Sequence, residues 1–399
     1  MSYVYAIINK NTLAYICGEK GVSIEFLANR TKLNVSKLNQ WLTPADSALP
    51  TIKQAKKIAS CLHIPFAGLY MNPIDIPLKR IPSVRNMRTM YGTANTDDSA
   101  LNIAMIDVLL ERDFLLSADD EFGIAPPNFN PIIPDGNSVD EWASAIRKQF
   151  SIDLSEQYRC GSSRQFYLYI RNKIEAKGVF VHCFTDVAID IARGFSVFNT
   201  LLPIIGVNDE DRPPAKSFTI IHELVHLFKR ESSLCNDMGC SSSILSEEVF
   251  CNAVAGELLV PKNALKIVLE HGHYSAPYSA EDIRRIADHF SVSREVVVRR
   301  LLEICRINQN EYDTYSDLFR REIEEEREKR KMQRRNGVKL SVPRNMSREA
   351  IDRTSPSVCK ILYQGYVDNV YSKLDIARHL NVEQNHIEKF LREVSRWNR

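Results

Sequence analysis

The segment that most constrains this chain is His222-Glu223-Leu224-Val225-His226, which lies inside an almost continuous apolar run. Ser217-Phe218-Thr219-Ile220-Ile221 precedes it and Leu227-Phe228 follows it. This pattern predicts a helix that is buried on nearly all sides. Two histidines and a glutamate on a buried helix need polar partners, because burial without them is costly. The same motif occurs by chance on surface helices, but the apolar flanks make that explanation the weaker one.

The spacing within this motif is that of a metal site. Residues four apart on a helix share a face and lie about 6 Å apart along its axis. His222 and His226 can therefore hold one Zn²⁺ through bonds of about 2.0–2.1 Å. Glu223, beside the first histidine, can act as general base toward a water molecule that the metal activates. The motif predicts metal-dependent hydrolysis with Glu223 as the catalytic residue.

Length and composition indicate a protein of several domains that does not span a membrane. The chain has 399 residues, and two or three domains are expected at that length. No run of 18 or more apolar residues is present, and the N-terminus shows no signal peptide. Its nine cysteines are an odd number without framework spacing, which fits a reducing compartment. We therefore expect a cytoplasmic protein.

Hydrophobic periodicity predicts an α+β fold that is mainly helical. Short apolar runs at 179–184, 194–197 and 202–208 predict strands of a small sheet. The expected domains are a helix-turn-helix domain at 1–75, a linker and helical connection at 76–137, a zincin-like metallopeptidase domain at 138–310 and a helical C-terminal region at 311–399.

The N-terminal segment has the pattern of a helix-turn-helix. Residues 23–30 and 35–42 show helical apolar spacing around a short polar turn. Residues 1–60 contain eight Lys or Arg and three Asp or Glu, a local net charge of +5 that permits phosphate contact. If the domain reads DNA, the residues on the exposed face of the second helix reach base edges, and nearby lysines contact phosphates. The base-reading set is Ser36, Lys37, Asn39 and Gln40, and the phosphate set is Lys32, Lys53, Lys56 and Lys57. The alternative is that this bundle binds a protein partner or packs on the rest of the chain.

A catalytic zinc generally has three protein ligands, so a third one is expected after the motif. Glu248 has the best setting, because it opens a helix with a small and apolar face suited to packing on the first helix. Glu247 points about 100° away around that helix. The other candidates are Asp237, Glu257, His271, His273 and the pair Cys235 and Cys240.

With these residues the chain resembles the ImmA/IrrE family of zinc metallopeptidases. The resemblance rests on the lead-in to the motif at 218–226, on Glu248-Val249-Phe250-Cys251-Asn252 and on Leu258-Leu259-Val260-Pro261. It implies that His222, His226 and Glu248 bind Zn²⁺ and that Glu223 is the base. Residues 50–54 and 63–70 are similar to the XRE-like helix-turn-helix domain often fused before that peptidase. The segment at 42–49 departs from the usual end of a DNA-reading helix, which weakens the DNA prediction more than the peptidase prediction.

The resemblance implies an endopeptidase that cleaves a protein partner, a repressor-like helix-turn-helix regulator of stress response or of a mobile element. We expect the substrate to add as a strand along an edge strand at 204–208. The alternative is a transcriptional regulator or antitoxin-like protein that binds DNA or a partner with negligible proteolysis. The two differ in whether Glu223 matters once metal is bound. A purely structural zinc site is the weakest hypothesis, because structure alone does not require the base.

Overall fold

A small sheet in the middle of the chain lies between two helical layers in the computed structural model of the protein. The structure describes residues 4–76, 78, 97–235, 242–335 and 345–398. Within these residues the chain is mostly helical, with one four-stranded sheet. The expectation of a mainly helical α+β fold is confirmed.

Four short helices form an N-terminal bundle: α1 (Lys10–Glu19), α2 (Ile24–Thr31), α3 (Val35–Leu42) and α4 (Ile52–Cys61). Each begins at a polar residue whose side chain accepts a hydrogen bond from the first turn; these residues are Asn9, Ser23, Asn34 and Thr51. A 3-10 turn at Phe66–Tyr70 closes the bundle. The buried apolar faces pack together and continue onto Ile103 and Ile106 of the long helix α5 (Ser99–Phe122).

Three helices lead into the sheet: α6 (Val139–Phe150), α7 (Leu154–Arg159) and α8 (Ser163–Glu175). The predicted strands are present as β1 (Phe180–Phe184), β2 (Gly194–Val197) and β3 (Ile204–Asn208), and a fourth, β4 (Ser233–Cys235), was not predicted. The strand order is β1-β3-β2-β4. β1 runs parallel to β3, whereas β2 is antiparallel to both β3 and β4.

The expectation that residues 204–208 form an edge strand is wrong. β3 pairs on both sides, so that Ile205 lies opposite Val181 of β1 and also opposite Ser196 of β2. All five residues of β3 are buried, which is typical of a central strand covered on both faces. A substrate strand therefore has no free hydrogen-bonding edge on β3.

One face of the sheet is covered by α8 and by the helices that follow the sheet. These are α9 (Pro213–Phe228), α10 (Ser242–Leu259), α11 (Lys262–His271), α12 (Ala280–Phe290), α13 (Arg294–Glu303) and α14 (Gln309–Arg335). Their apolar side chains form one core with Val181, Ile205 and Val207 of the sheet. The largest part of the hydrophobic core thus surrounds the helix that carries the histidine motif.

The opposite face of the sheet is covered by α5 and by the C-terminal helices. These are α15 (Met346–Arg353), α16 (Pro356–Val367), α17 (Lys373–His379) and α18 (Ile387–Ser395). Phe180, Phe184 and Phe195 project from the sheet into this second core. Buried Arg171 of α8 also donates to the carbonyl oxygens of Ile351 and Asp352 at 3.1 and 2.6 Å. These contacts hold the C-terminal helices on the sheet.

Across the described ranges, no helix combines the length and the apolar character needed to cross a membrane.

Candidate metal centre

The histidine motif lies in the middle of α9, which begins with Pro213 and Pro214 in its first turn. Proline is suited to that position, because its missing N–H would have no helical partner there. From Ile220 to Phe228 every residue of the helix is buried, including His222 (1% exposed), Glu223 (0%) and His226 (3%). The apolar flanks therefore fix the motif inside the core, as the sequence predicts.

Three side chains converge at this point: His222 and His226 from α9, and Glu248 from α10. The two histidine Nε2 atoms are 3.2 Å apart. Glu248 Oε2 lies 3.2 Å from His222 Nε2, and Glu248 Oε1 lies 3.3 Å from His226 Nε2. Atoms bound tetrahedrally at about 2.0–2.1 Å from one zinc ion lie about 3.3 Å from each other. The spacing of these three residues fits such an ion.

The charges of the three side chains also suit a cation. Burial works against the ionised form of Glu248, but hydrogen bonds from His222 and His226 outweigh it and hold the pKa of the carboxyl well below its usual range. Burial likewise favours neutral His226, but contacts with Cys251, Glu231 and Glu248 outweigh it and raise the pKa of the imidazole well above its ordinary value. A carboxylate between two imidazoles thus attracts a positive charge, which a proton or a metal ion can supply.

Two buried polar atoms at the centre lack a hydrogen-bond partner among the residues that the structure describes: Oε1 of Glu223 and Nδ1 of His222. The other oxygen of Glu223 accepts a hydrogen bond from the hydroxyl of Ser233 on β4. Ser233 in turn shares a 2.8 Å hydrogen bond with Ser196 on β2. A buried unpaired carboxylate oxygen is costly. Its presence beside the three converging side chains suits an atom that accepts a proton during a reaction.

Sequence reasoning did not find Ser233 or Cys251 as neighbours of the site. Cys251 lies one turn after Glu248 on α10, and its Sγ is 3.9 Å from Nδ1 of His226. Ser233 reaches the site only because β4 pairs with β2. A cysteine three residues after Glu248 could have been found from helical spacing. No local signal in the sequence points to Ser233.

The other candidates for a third ligand lie elsewhere or outside the described residues. Glu247 faces Lys229, with 3.8 Å between Oε1 and Nζ. Glu257 forms an ion pair with Arg300, whereas His271 at the end of α11 and His273 just after it are both exposed. Asp237, Cys240 and the side chain of Cys235 lie outside the part that the structure describes. Within the described ranges, the only group of potential ligand atoms close enough for one metal ion is His222, His226 and Glu248.

The four residues predicted to read DNA lie on one helix, α3. Ser36, Lys37, Asn39 and Gln40 are all exposed, whereas Leu38 and Trp41 of the same helix are buried. They share a solvent-facing surface that is far along the chain from the metal centre.

A comparison with protein families finds a match in the middle of the chain. Residues 175–302 match the IrrE N-terminal-like domain of the Peptidase_M78 family. This IrrE-like domain contains the whole sheet and the three converging side chains, and the match supports the resemblance to ImmA/IrrE metallopeptidases. No curated protein matches the chain significantly.

The IrrE-like domain places its sheet against the motif helix in a defined way. β2 packs on α9, and a Cβ atom on Gly194 would lie 2.3 Å from Cγ2 of Thr219, three residues before His222. β4 then covers the remaining side of β2 and carries Ser233 to Glu223. The outer edge of β4, rather than β3, is therefore the sheet edge next to Glu223.

Proposed function

We propose that this chain is a cytoplasmic zinc-dependent endopeptidase that cleaves a protein partner, a repressor-like helix-turn-helix regulator. The observation that carries the proposal is the convergence of His222, His226 and Glu248, with 3.2–3.3 Å between their ligand atoms, beside the unpaired oxygen of Glu223. The match to a peptidase family over residues 175–302 supports the same reaction class.

In this proposal His222, His226 and Glu248 hold the zinc ion, which when bound supplies Lewis-acid activation of water and of the peptide carbonyl. Glu223 accepts a proton from the attacking water at Oε1 and delivers it to the nitrogen of the cleaved bond. Ser233 holds Oε2 of Glu223 through a hydrogen bond, which keeps Oε1 available for the proton. The burial of Glu223 limits competition from bulk water.

The substrate in this proposal is an extended segment of the partner that adds to the outer edge of β4. Strand addition satisfies backbone hydrogen bonds and leaves side-chain pockets to select the sequence. β4 fits this role better than β3, because β3 is paired on both sides whereas β4 is an edge strand of the described sheet.

The deciding experiment is to co-express the chain with helix-turn-helix repressors from the same genome, one at a time, and to look for a truncated repressor. The proposal expects truncation with the natural chain and with Glu247→Gln, but none with Glu223→Gln. Glu247 is a matched control, because it carries the same group on α10 and faces Lys229 instead of the metal centre. Equal truncation by natural chain and Glu223→Gln would contradict the proposed role of Glu223.

A second candidate function is a transcriptional regulator or antitoxin-like protein that binds DNA or a partner with negligible proteolysis. It is favoured by the exposed polar surface of α3, which carries Ser36, Lys37, Asn39 and Gln40. Two results together would favour this function. No candidate partner would be cleaved, and the chain would bind a specific duplex sequence in a way that the double variant Asn39→Ala with Gln40→Ala abolishes.

A further inference from the structure

A wide groove separates the N-terminal bundle from the C-terminal helices, on the side of the molecule where α5 forms its floor. The groove has a volume of about 1600 Å³. This exceeds the roughly 300–1,000 Å³ typical of small-molecule pockets. One wall comes from α2 and α4, and the other comes from α17. The size and open shape indicate an extended ligand.

The two walls present similar pieces of backbone to the groove. On each wall a helix ends in a residue with positive φ, Lys32 after α2 (58°) and Asn381 after α17 (50°). The next residue donates its N–H to the carbonyl of an alanine in the last turn, from Leu33 to Ala28 at 3.1 Å and from Val382 to Ala377 at 3.0 Å. Two helix ends with the same backbone hydrogen bond thus face the groove from opposite walls.

The wall from the bundle is strongly basic. Four exposed lysines line it: Lys32, Lys53, Lys56 and Lys57. The ammonium groups of Lys32 and Lys53 form no hydrogen bond or ion pair with the described parts of the chain. Lys56 lies over the ring of Phe66 at 5.6 Å, and Lys57 donates to the carbonyl of Thr31 at 3.3 Å. These contacts position two of the ammonium groups without neutralising them.

The opposite wall adds Arg378, and the acidic residues of the floor are already paired. Asp107 accepts from His63, with 2.9 Å between Oδ1 and Nδ1. Glu111 contacts Nε2 of His379 at 3.1 Å. Arg30, the remaining cation of the lining, pairs with Asp186 at 2.8 Å. In the described lining six lysine and arginine side chains outnumber the two carboxylates, so the net charge of the groove is positive and comes mainly from the lysine wall.

Between these walls the floor offers an apolar and aromatic surface. Leu110 is 41% exposed, and Phe114 lies half-buried beside it. The ring of Phe114 is 4.6 Å from that of His379. Cations beside partly exposed rings are the arrangement by which proteins hold single-stranded nucleic acid, since phosphates contact the cations and bases stack on the rings.

We propose that this groove binds a single strand of nucleic acid, with its phosphates along the lysine wall and its bases against Leu110, Phe114 and His379. None of the base-reading residues Ser36, Lys37, Asn39 and Gln40 is among the described residues that line the groove. The four lysines predicted to contact duplex phosphates do line it, so a duplex is the competitor that the test must include. The inference is independent of the proposed peptidase reaction.

The test measures binding of the full-length chain to a fluorescein-labelled oligothymidylate of about 15 nucleotides, a length within the known range of single-strand sites. Anisotropy titrations at low and moderate salt give both the affinity and its salt dependence. A duplex of the same length and a polyglutamate peptide serve as competitors. The proposal expects the single strand to bind more tightly than either competitor, with an affinity that falls steeply as salt rises.

Three variants and one control locate the binding. Lys53→Glu with Lys56→Glu on one wall, and Arg378→Glu on the other, should each weaken binding about tenfold or more and flatten the salt slope. Phe114→Leu keeps an apolar side chain but removes the ring, and should weaken binding about fivefold or more. Lys148→Glu makes a similar charge change at an exposed position of α6, outside the groove, and should leave the affinity unchanged. Circular dichroism melts check that every variant is folded.

Several results would overturn the proposal. These are the absence of single-strand binding at low salt, tighter binding of the duplex or of polyglutamate, and a loss of binding in Lys148→Glu equal to that in the wall variants. Loss in the lysine variant without loss in Arg378→Glu would also overturn it, since the ligand would then contact only the bundle.

Discussion

The hydroxyl of Ser233 donates a hydrogen bond to the carboxylate of Glu223, so a strand at the end of the sheet holds the glutamate of the motif helix. Both residues are buried, and the hydroxyl of Ser196 on β2 forms a hydrogen bond with that of Ser233. The orientation of Glu223 thus depends on the pairing of β4 with β2 and not on α9 alone.

We predict that Ser233→Ala leaves metal binding intact and lowers hydrolysis of the partner about tenfold or more. The physical reason is the loss of a hydrogen bond to a charged group, worth about 1.5–3 kcal/mol, which orients the proposed base. Ser232→Ala is the matched control, because that neighbouring hydroxyl accepts a hydrogen bond from the backbone N–H of Phe198 instead of donating to Glu223. Cleavage rates and metal content of both variants are the measurements. Equal activity in the two variants would exclude a positioning role for Ser233.

Metal content should depend on Glu248 and not on Glu247. We expect the purified chain to carry about one zinc ion. Glu248→Ala should lose it, because one of three converging ligand atoms is removed, whereas Glu247→Ala should retain it. Elemental analysis after dialysis measures the difference, and the natural chain should melt at a higher temperature with zinc than after chelation. The reverse pattern between the two variants would mean that α10 presents its other side to α9.

Glu223→Gln should bind zinc like the natural chain and lose about 10²–10⁴-fold in hydrolysis, the usual scale for removal of a general base. Glutamine has the same shape but cannot accept the proton. Single-turnover cleavage of the partner, with metal content measured on the same samples, separates loss of chemistry from loss of metal. Full activity of the metal-loaded variant would refute the proposed mechanism.

Gly194→Ala should destabilise the IrrE-like domain by about 1–3 kcal/mol, the usual cost of overpacking. The added Cβ would lie 2.3 Å from Cγ2 of Thr219 and 2.9 Å from the carbonyl oxygen of Gly206, so β2 and α9 would have to separate. Gly18→Ala is the control: no atom outside its immediate surroundings in α1 lies within 4 Å of the new Cβ, and it should stabilise the chain slightly. Urea unfolding measures both. A neutral Gly194→Ala would mean that the sheet and the motif helix are not tightly packed.

The attachment of the C-terminal helices should weaken in acid because of Asp209. Burial works against the charge of Asp209, but Lys216 on α9 at 2.7 Å and Arg353 on α15 at 2.6 Å outweigh it and lower the pKa of the carboxyl. A carboxyl group whose pKa is lower in the folded protein than in the unfolded chain stabilises the fold. This stabilisation is complete above the pKa of the unfolded chain, about 3.9, and is lost as pH falls through the pKa of the folded protein.

Asp209→Asn should therefore lower the free energy of unfolding by about 1–3 kcal/mol near neutral pH. The difference from the natural chain should shrink as pH falls below about 4, because Asp209 takes up a proton in the unfolded chain while it is still charged in the folded protein. Urea titrations across this range measure it. A difference that stays constant into acid would show that the charge of Asp209 does not contribute.

The sequence by itself determined the local features of the site. The spacing of His222 and His226 places both on one side of a helix, and the apolar flanks bury that helix, because both properties follow from the helical period. The three predicted strands and the α+β class also followed from local hydrophobic patterns. Glu248 was predicted from the pattern of a neighbouring helix and from a family resemblance, and the structure brings its carboxylate within 3.2–3.3 Å of the two histidines.

Only the tertiary structure decided which distant segments meet. It made β3 a central strand instead of an edge, added β4 with Ser233 beside Glu223, and placed the C-terminal helices on the far side of the sheet. It also gathered the lysines of the bundle and Arg378, more than 300 residues apart along the chain, around one groove. Local periodicity fixes the direction of a side chain within its own helix or strand. The order of strands and the packing of layers depend instead on non-local contacts, which no single segment encodes.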